Sequence, residues 1–585
     1  MRAFVLGAWL VATALCQLPK DHPPLPPPGH RAKAERLTAL AGGTAAAPVP
    51  PAPRRNLIDE HIFGRMERDG IPHAPLASDE EYFRRVHLDL IGRVGDAAAL
   101  DEFVASADPA KHDKLVDALV GSPAYRARWT YWFGDLAMAA ANRIGNEGKN
   151  LFYRWIYDNI QIDRPYNEMV TDMLTATAAS NWYVGPASYL ARWVVIGVKC
   201  EDTVHEDTSD ELAINAVKHF MGVDLNCVSC HDGERHLEKI NTWLARRKRE
   251  ELYRMGAFFG RTRILRRVEV ATTQDEYSID DKGPGYDMGA RTVVRVPRRG
   301  KGAAEPVFLF TGERPDPSRN LRAEFARMLT SHPQFARATV NLHWAALMGV
   351  GIVDPPLDFD LARPQATHPE LLDALAEYFR ANGHSLQKLH KLIAKSSAYR
   401  LSSRFAGEWK ESYARYFARR FVRRLTAEQV HDSIVHATGL YTDIPVRGTD
   451  FRARYATETR SPEDFKGRYP GLKDINFFLE SFGQTNREYA ERTNEGDITQ
   501  AVLLMNSPWV LNQVKARPGG HLSALIAEAH PPEKAVEILF ARFLNRRPSP
   551  QESAMAREWI AAGGRRGYED LQWLLLNKTD FLFHY

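Results

Sequence analysis

The chain has 585 residues, 44% of them hydrophobic and 26% charged, the mixture of an ordinary globular protein long enough for about two to four domains. Its 77 basic and 73 acidic residues leave a net charge of +4, too even a balance for a nucleic-acid partner. Four cysteines are too few for a disulfide scaffold.

The N-terminus reads as an export signal. Arg2 supplies the positive region, and Ala3–Leu15 is an apolar run too short to span a bilayer. Cleavage is expected after Cys16, giving a signal peptide over 1–16 and a periplasmic, secreted or cell-surface protein. The alternative is a lipoprotein acylated at Cys16, against which the bulky Leu15 argues. No later stretch is long and apolar enough to cross a membrane.

Residues 17–55 are rich in Pro and Ala and read as an extended linker. From Asn56 the pattern turns helical. Leu57, Ile58, Ile62, Phe63 and Met66 share one helix face, and Ser78 with Glu81 forms a capping box. Lys111–Val120, Ala124–Ala141 and Leu151–Ile160 continue the theme. After Gly260 the texture changes. Ile264–Thr273, Arg291–Val296 and Pro306–Phe310 are β-rich runs. Helices return with a capping box and Pro at Thr367, Pro369 and Glu370, repeated at Thr426 with Gln429 and at Ser549, Pro550 and Glu552. The expectation is a mainly α protein: a helical domain over 56–262, a small β insertion over 263–315, and a second helical domain over 316–585.

One motif carries chemistry. Cys227-Val-Ser-Cys230-His231 has the spacing of covalent haem c attachment. Two thiols three positions apart reach the two vinyl groups of one porphyrin, and the following His231 lies under the iron as proximal ligand. The export signal agrees with this, because haem c is attached outside the cytoplasm. Three other readings compete: a disulfide between Cys227 and Cys230, a zinc site that adds His231 and Cys200, and free structural thiols. Distal-ligand candidates are His205, Met255 and Met288. A vacant sixth position is the alternative and would favour small-oxidant chemistry over electron transfer.

Two charged stretches stand out. Glu201–Glu211 crowds oxygen ligands as a Ca²⁺ site does, although a solvated acidic loop with Thr208 or Ser209 capping a helix from Asp210 is the favoured reading. Arg246–Arg249 and Arg419-Arg420 with Arg423-Arg424 read as solvated helix faces, with a polyanionic glycan as a weaker alternative partner. No Walker, G-x-S-x-G or H-E-x-x-H motif occurs.

These residues resemble a known family. Arg84-Arg85-Val-His-Leu-Asp89-Leu-Ile-Gly92, Ser122-Pro-Ala-Tyr125, Phe220–Asp232 and Ala257-Phe-Phe259 are similar to the planctomycete-type cytochrome C domain of unknown function. Asn341-Leu-His-Trp344, Gly351-Ile-Val-Asp354, His368–Asp373, Leu392–Arg400, Met505-Asn506-Ser507 and Asp580–Phe583 resemble the domain that usually follows it. Relatives often read Cys-His-Asp-His where Gly233 follows Asp232 here, and often carry a cysteine near Glu488–Arg492. The resemblance implies an exported, haem-bearing, two-domain protein and no particular reaction. The leading functional expectation is a haem protein active in redox chemistry or electron transfer with an unidentified redox partner. The alternatives are a haem enzyme acting on small oxidants or a glycan, and a non-enzymatic surface or scaffold protein with a structural disulfide or zinc at the motif.

Overall fold

The computed structural model describes residues 30–197, 203–268, 275–466, 469, 471–488 and 496–585. The signal segment, Cys16 and Cys200 lie outside them.

The protein is mainly α, as its apolar periodicity requires. Local signals set many helix ends. Asn56 caps Leu57–Asp69 by accepting from Ile58 N, and Gly70 closes it at φ 66°. Ser78 caps Asp79–Ile91 through the Glu81 amide, while the Glu81 carboxylate turns instead to Arg85 and Ser402. The full reciprocal boxes form at Thr426/Gln429 and Ser549/Glu552. The Thr367 box does not. The helix Pro369–Ala381 starts from His368 with no side-chain cap, and Thr367 Oγ1 donates to the Ile352 carbonyl instead.

Two hydrophobic cores hold the fold together. The larger runs from Ile58 to Phe421 and combines the N-terminal helices with Leu321–Ser331, Pro333–Met348, Pro369–Ala381 and Leu386–Ala394. The smaller covers Leu425–Phe581 and takes in Leu88. Asp79–Ile91 is the wall between them. Every residue from Tyr82 to Ile91 is buried, with Val86 and Leu90 in one core and Leu88 in the other. A helix buried all round must pair its polar side chains internally, and Arg84, Arg85, His87 and Asp89 all do so.

The expected β insertion is reduced to one antiparallel hairpin, Arg263–Val268 with Asp275–Asp280, in register Ile264↔Ile279. Arg291–Val296 and Pro306–Phe310 are not strands. Gly283, Pro284 and Gly285 break the chain, and side-chain anchors then dictate its path. Arg298 is drawn onto Asp207 and Asp210, and Phe308 is buried against Phe325. The linker expectation also needs correction. His30–Ala41 is a helix, because Arg31–Ala41 holds good helix formers. It is docked: Arg31 Nη2 donates to the Gly351 carbonyl at 2.7 Å, Trp409 Nε1 to Glu35 at 2.8 Å, and the Val422 amide to Thr38 Oγ1 at 2.9 Å.

The second basic run is not a solvated face. Arg419, Arg420 and Arg424 are buried, with partners on Glu35, Asp89 and Gln500. They present no surface to a polyanion. Among the described residues no helix is long and apolar enough to cross a membrane.

Candidate haem-attachment turn

The helix that leads to the motif runs His205–Met221, starting before the expected start near Asp210, with Val204 rather than Thr208 or Ser209 at its N-cap. Its first turn carries the acidic stretch, and that stretch is not solvated. Asp207 and Asp210 are buried and share the guanidinium of Arg298 at 2.6 Å each. Arg295 pairs with Glu211, and Tyr286 donates to Asp210 at 2.7 Å. Burial pushes the Asp210 carboxyl up, and Arg298 and Arg295 oppose that shift. These oxygens answer guanidinium groups, which is the role a Ca²⁺ ion would otherwise fill. Glu201 and Asp202 lie outside the described residues.

Gly222, at φ 68°, ends the helix. Asp224 Oδ1 then accepts from the Asn226 amide at 2.9 Å and opens a single 3₁₀ turn, Cys227–Ser229. Val228 is the buried peg of this turn, and the two cysteines on either side of it are half-buried and free. Cys227 packs against the large core. Burial, aided by the carboxylates of Asp224 and Asp358, pushes its thiol up, so it stays protonated at neutral pH.

His231 follows directly. Its Nδ1 is 2.7 Å from the Asp232 carbonyl. A carbonyl can only accept, so the ring carries its proton on Nδ1 and its lone pair on Nε2. His236 lies beside it, ring centroids 4.6 Å apart.

The turn is clamped from one side by Arg249, which sequence reasoning assigned to a solvated basic face. Its Nε donates to the Ser229 carbonyl and its amide to Asp232 Oδ1, both at 2.8 Å. The same guanidinium reaches the carbonyls of Pro297 and Val296. Gly233 completes the clamp. Its amide donates to the Arg247 carbonyl at 2.8 Å, and a Cβ there would run into the Leu244 carbonyl oxygen. Close backbone approach therefore requires a glycine at this position.

The three distal candidates sit in protein contacts. His205 Nε2 bonds the carbonyls of Gly260 and Gly285 at 2.8 and 2.9 Å. Met255 is fully buried, and its sulfur accepts from the Leu309 amide at 3.2 Å. Met288 packs against Tyr253, Ala257 and Tyr286. The aromatic residues near the motif are likewise spent. Phe220 lies on Tyr166 and Tyr189, Phe258 and Phe259 lie on Phe325, and Trp243 stacks on Phe310. The turn itself fits haem attachment: two free thiols three positions apart and an imidazole whose Nε2 carries the lone pair. The surrounding rings serve the protein core.

Comparison with known proteins gives two matches. Residues 321–560 match the family model PSD1, protein of unknown function (DUF1553), and residues 57–264 match PSCyt2, protein of unknown function (DUF1549). No curated protein and no solved structure matches the chain. Both matched regions feed the large core, which joins Ile58 to Phe421 across the space between them. The chain is thus a planctomycete-type tandem of a PSCyt2 and a PSD1 domain, a pair of unknown function.

Proposed function

We propose that this is an exported c-type haem-binding protein of redox chemistry or electron transfer. The observation that carries the reading is the Cys227–His231 turn, with both thiols free and half-buried and the Nδ1 proton of His231 committed to Asp232. Cys227 and Cys230 would hold the porphyrin through thioethers and His231 Nε2 would be the proximal ligand; the bound haem supplies one-electron or ligand-activation chemistry. Asp232, Arg249 and Gly233 keep the turn in shape.

The haem-enzyme reading has one observation in its favour. His205, Met255 and Met288 each have a protein partner, which favours a sixth iron position left to a small molecule. Expression with the haem-attachment machinery tests both readings. Mass spectrometry should show a haem-sized increment on the peptide with both cysteines. The reduced protein should bind carbon monoxide if the sixth position is open and fail to do so if a side chain fills it. An unmodified peptide would sink both readings and leave the thiols to a disulfide or zinc. N-terminal sequencing of the exported protein should begin near Gln17, and a chain retaining Met1 in the membrane fraction would overturn the signal assignment.

A further inference from the structure

Four side chains on the flank of the smaller core form one line. Tyr441 Oη lies 3.2 Å from Tyr455 Oη, Tyr455 Oη lies 3.0 Å from His436 Nδ1, and His436 Nε2 lies 3.2 Å from Asp96 Oδ1. Asp96 precedes the helix Ala97–Ala105 in the first matched region, and the other three belong to the second. The line joins two clefts. Asp96 and His436 face one of about 450 Å³, together with Glu102 and Arg542. Tyr441 faces the other, of about 530 Å³, together with Asp443, Arg454, Asn512 and Arg517. His521 stands between them and lines both.

The proton order follows from the chemistry of the groups. A carboxylate only accepts, so the His436 imidazole keeps its proton on Nε2, toward Asp96. Nδ1 then accepts from the Tyr455 hydroxyl, and the Tyr455 oxygen accepts from Tyr441. Every contact points inward to the carboxylate, and the Tyr441 oxygen turns a lone pair to its cleft. The hydrogen bond from His436 holds the Asp96 carboxyl below its ordinary value. Burial pushes the Tyr455 phenol up, and Arg93, 3.9 Å over its ring, opposes that shift. Tyr455 therefore stays protonated and passes a proton on as it receives one. The other charged or titratable neighbours are His87, Asp432, His521 and Arg454, whose guanidinium lies 5.7 Å over the Tyr441 ring.

A hydroxyl, an imidazole to take its proton and a carboxylate to orient the imidazole are the parts of an acid–base site. The cleft supplies a hold on a substrate. Arg454 and Arg517 are exposed in it, and among the described residues no acidic side chain pairs with either. Asp443 is the acidic residue of the lining, against these two guanidinium groups. Unpaired guanidinium forks match the planar or tetrahedral oxygens of an oxyanion.

We propose that this cleft is an acid–base active site, in which Tyr441 exchanges a proton with a small substrate bearing a carboxylate, phosphate or sulfate. Tyr441 takes a proton from the substrate as its own hydroxyl proton passes to Tyr455 and that of Tyr455 to His436 Nδ1. The substrate keeps the electron pair, Asp96 holds the imidazolium, and the reverse transfer returns the proton. The site stands apart from the haem reading. N-acetylimidazole, which acetylates phenols, tests it on the full exported chain, with peptide mass spectrometry reading each tyrosine. Tyr183, 81% exposed, is the internal control. At pH 7 Tyr441 should react more than about tenfold faster, since general-base assistance is worth about 10²–10⁴-fold. The Tyr183 rate should climb about tenfold per pH unit toward the ordinary phenol value of about 10, whereas that of Tyr441 should level off at about pH 7, where histidines are neutral. His436→Gln should give Tyr441 the rate and pH profile of Tyr183. Sulfate should slow Tyr441 and spare Tyr183, and chloride at equal ionic strength should slow neither. Equal rates and profiles for the two tyrosines of the wild-type chain would overturn the relay, whether or not the variant folds. Equal effects of sulfate and chloride would overturn the oxyanion assignment.

Discussion

The carboxylate of Asp89 accepts from Arg420 Nη2 at 3.0 Å, and neither side chain has any exposed surface. The same carboxylate takes Arg423, the Tyr399 hydroxyl at 2.6 Å and His584 Nε2 at 3.1 Å. One acidic group in the wall helix thus anchors the segment between the two cores and the end of the chain. Removing one partner of a buried pair leaves the others uncompensated, at about 3–5 kcal/mol. Asp89→Asn should lower the unfolding free energy measured by urea titration by that amount. A loss under 1 kcal/mol would show that Arg420 and Arg423 find other acceptors.

The motif should be dispensable for the apo fold. Phe220, Phe258 and Phe259 pack on protein rings, so haem is not needed to fill their contacts. Cys227→Ala with Cys230→Ala should cost only about 1–2 kcal/mol, as expected for two half-buried thiols. Hydrogen exchange in the N-terminal helices should stay close to that of the unmodified apo protein. Collapse of protection there would show that the two thiols themselves hold the N-terminal core together.

Gly233→Ala should do more damage than its size suggests. The new Cβ meets the backbone carbonyl of Leu244, which cannot swing aside as a side chain can. About 2–3 kcal/mol of destabilisation is expected, and under the haem proposal a lower loading of the variant than of the wild type. Wild-type stability and loading in the variant would mean the 244–247 backbone shifts freely.

Acid should unfold the protein early. Burial pushes the imidazoles of His219, His343 and His368 down to about 3 and that of His87 to about 4. The unfolded imidazoles take up protons below about pH 6.5 and the folded ones do not. Stability is therefore present in full above that pH and falls as pH drops, by about 1.4 kcal/mol per unit for each histidine, until the folded groups titrate. Urea midpoints measured from pH 7.5 to 5 should fall steeply. His87→Asn should flatten the slope by one histidine's share, and an unchanged slope would remove His87 from the account.

The sequence by itself determined what is settled within about four residues. The caps at Ser78, Thr426 and Ser549 are legible because donor and acceptor are chain neighbours, and the Cys227–His231 turn stands out as a candidate because the haem proposal rests on a spacing. Tertiary structure decided what depends on partners far along the chain. The runs Arg419–Arg424 and Glu206–Glu211 look solvated in sequence. Within them Arg419, Arg420, Asp207 and Asp210 are buried because Glu35, Asp89 and Arg298 neutralise them from distant parts of the chain. Arg291–Val296 has the residues of a strand, but the pull of Arg298 on Asp207 and Asp210 outweighs a local β preference worth about 1 kcal/mol at most. The extreme case is the hydrogen-bonded line of Tyr125, His390 and His343: three side chains on three helices, to which no local pattern gives a shared role and which only packing brings within hydrogen-bond reach.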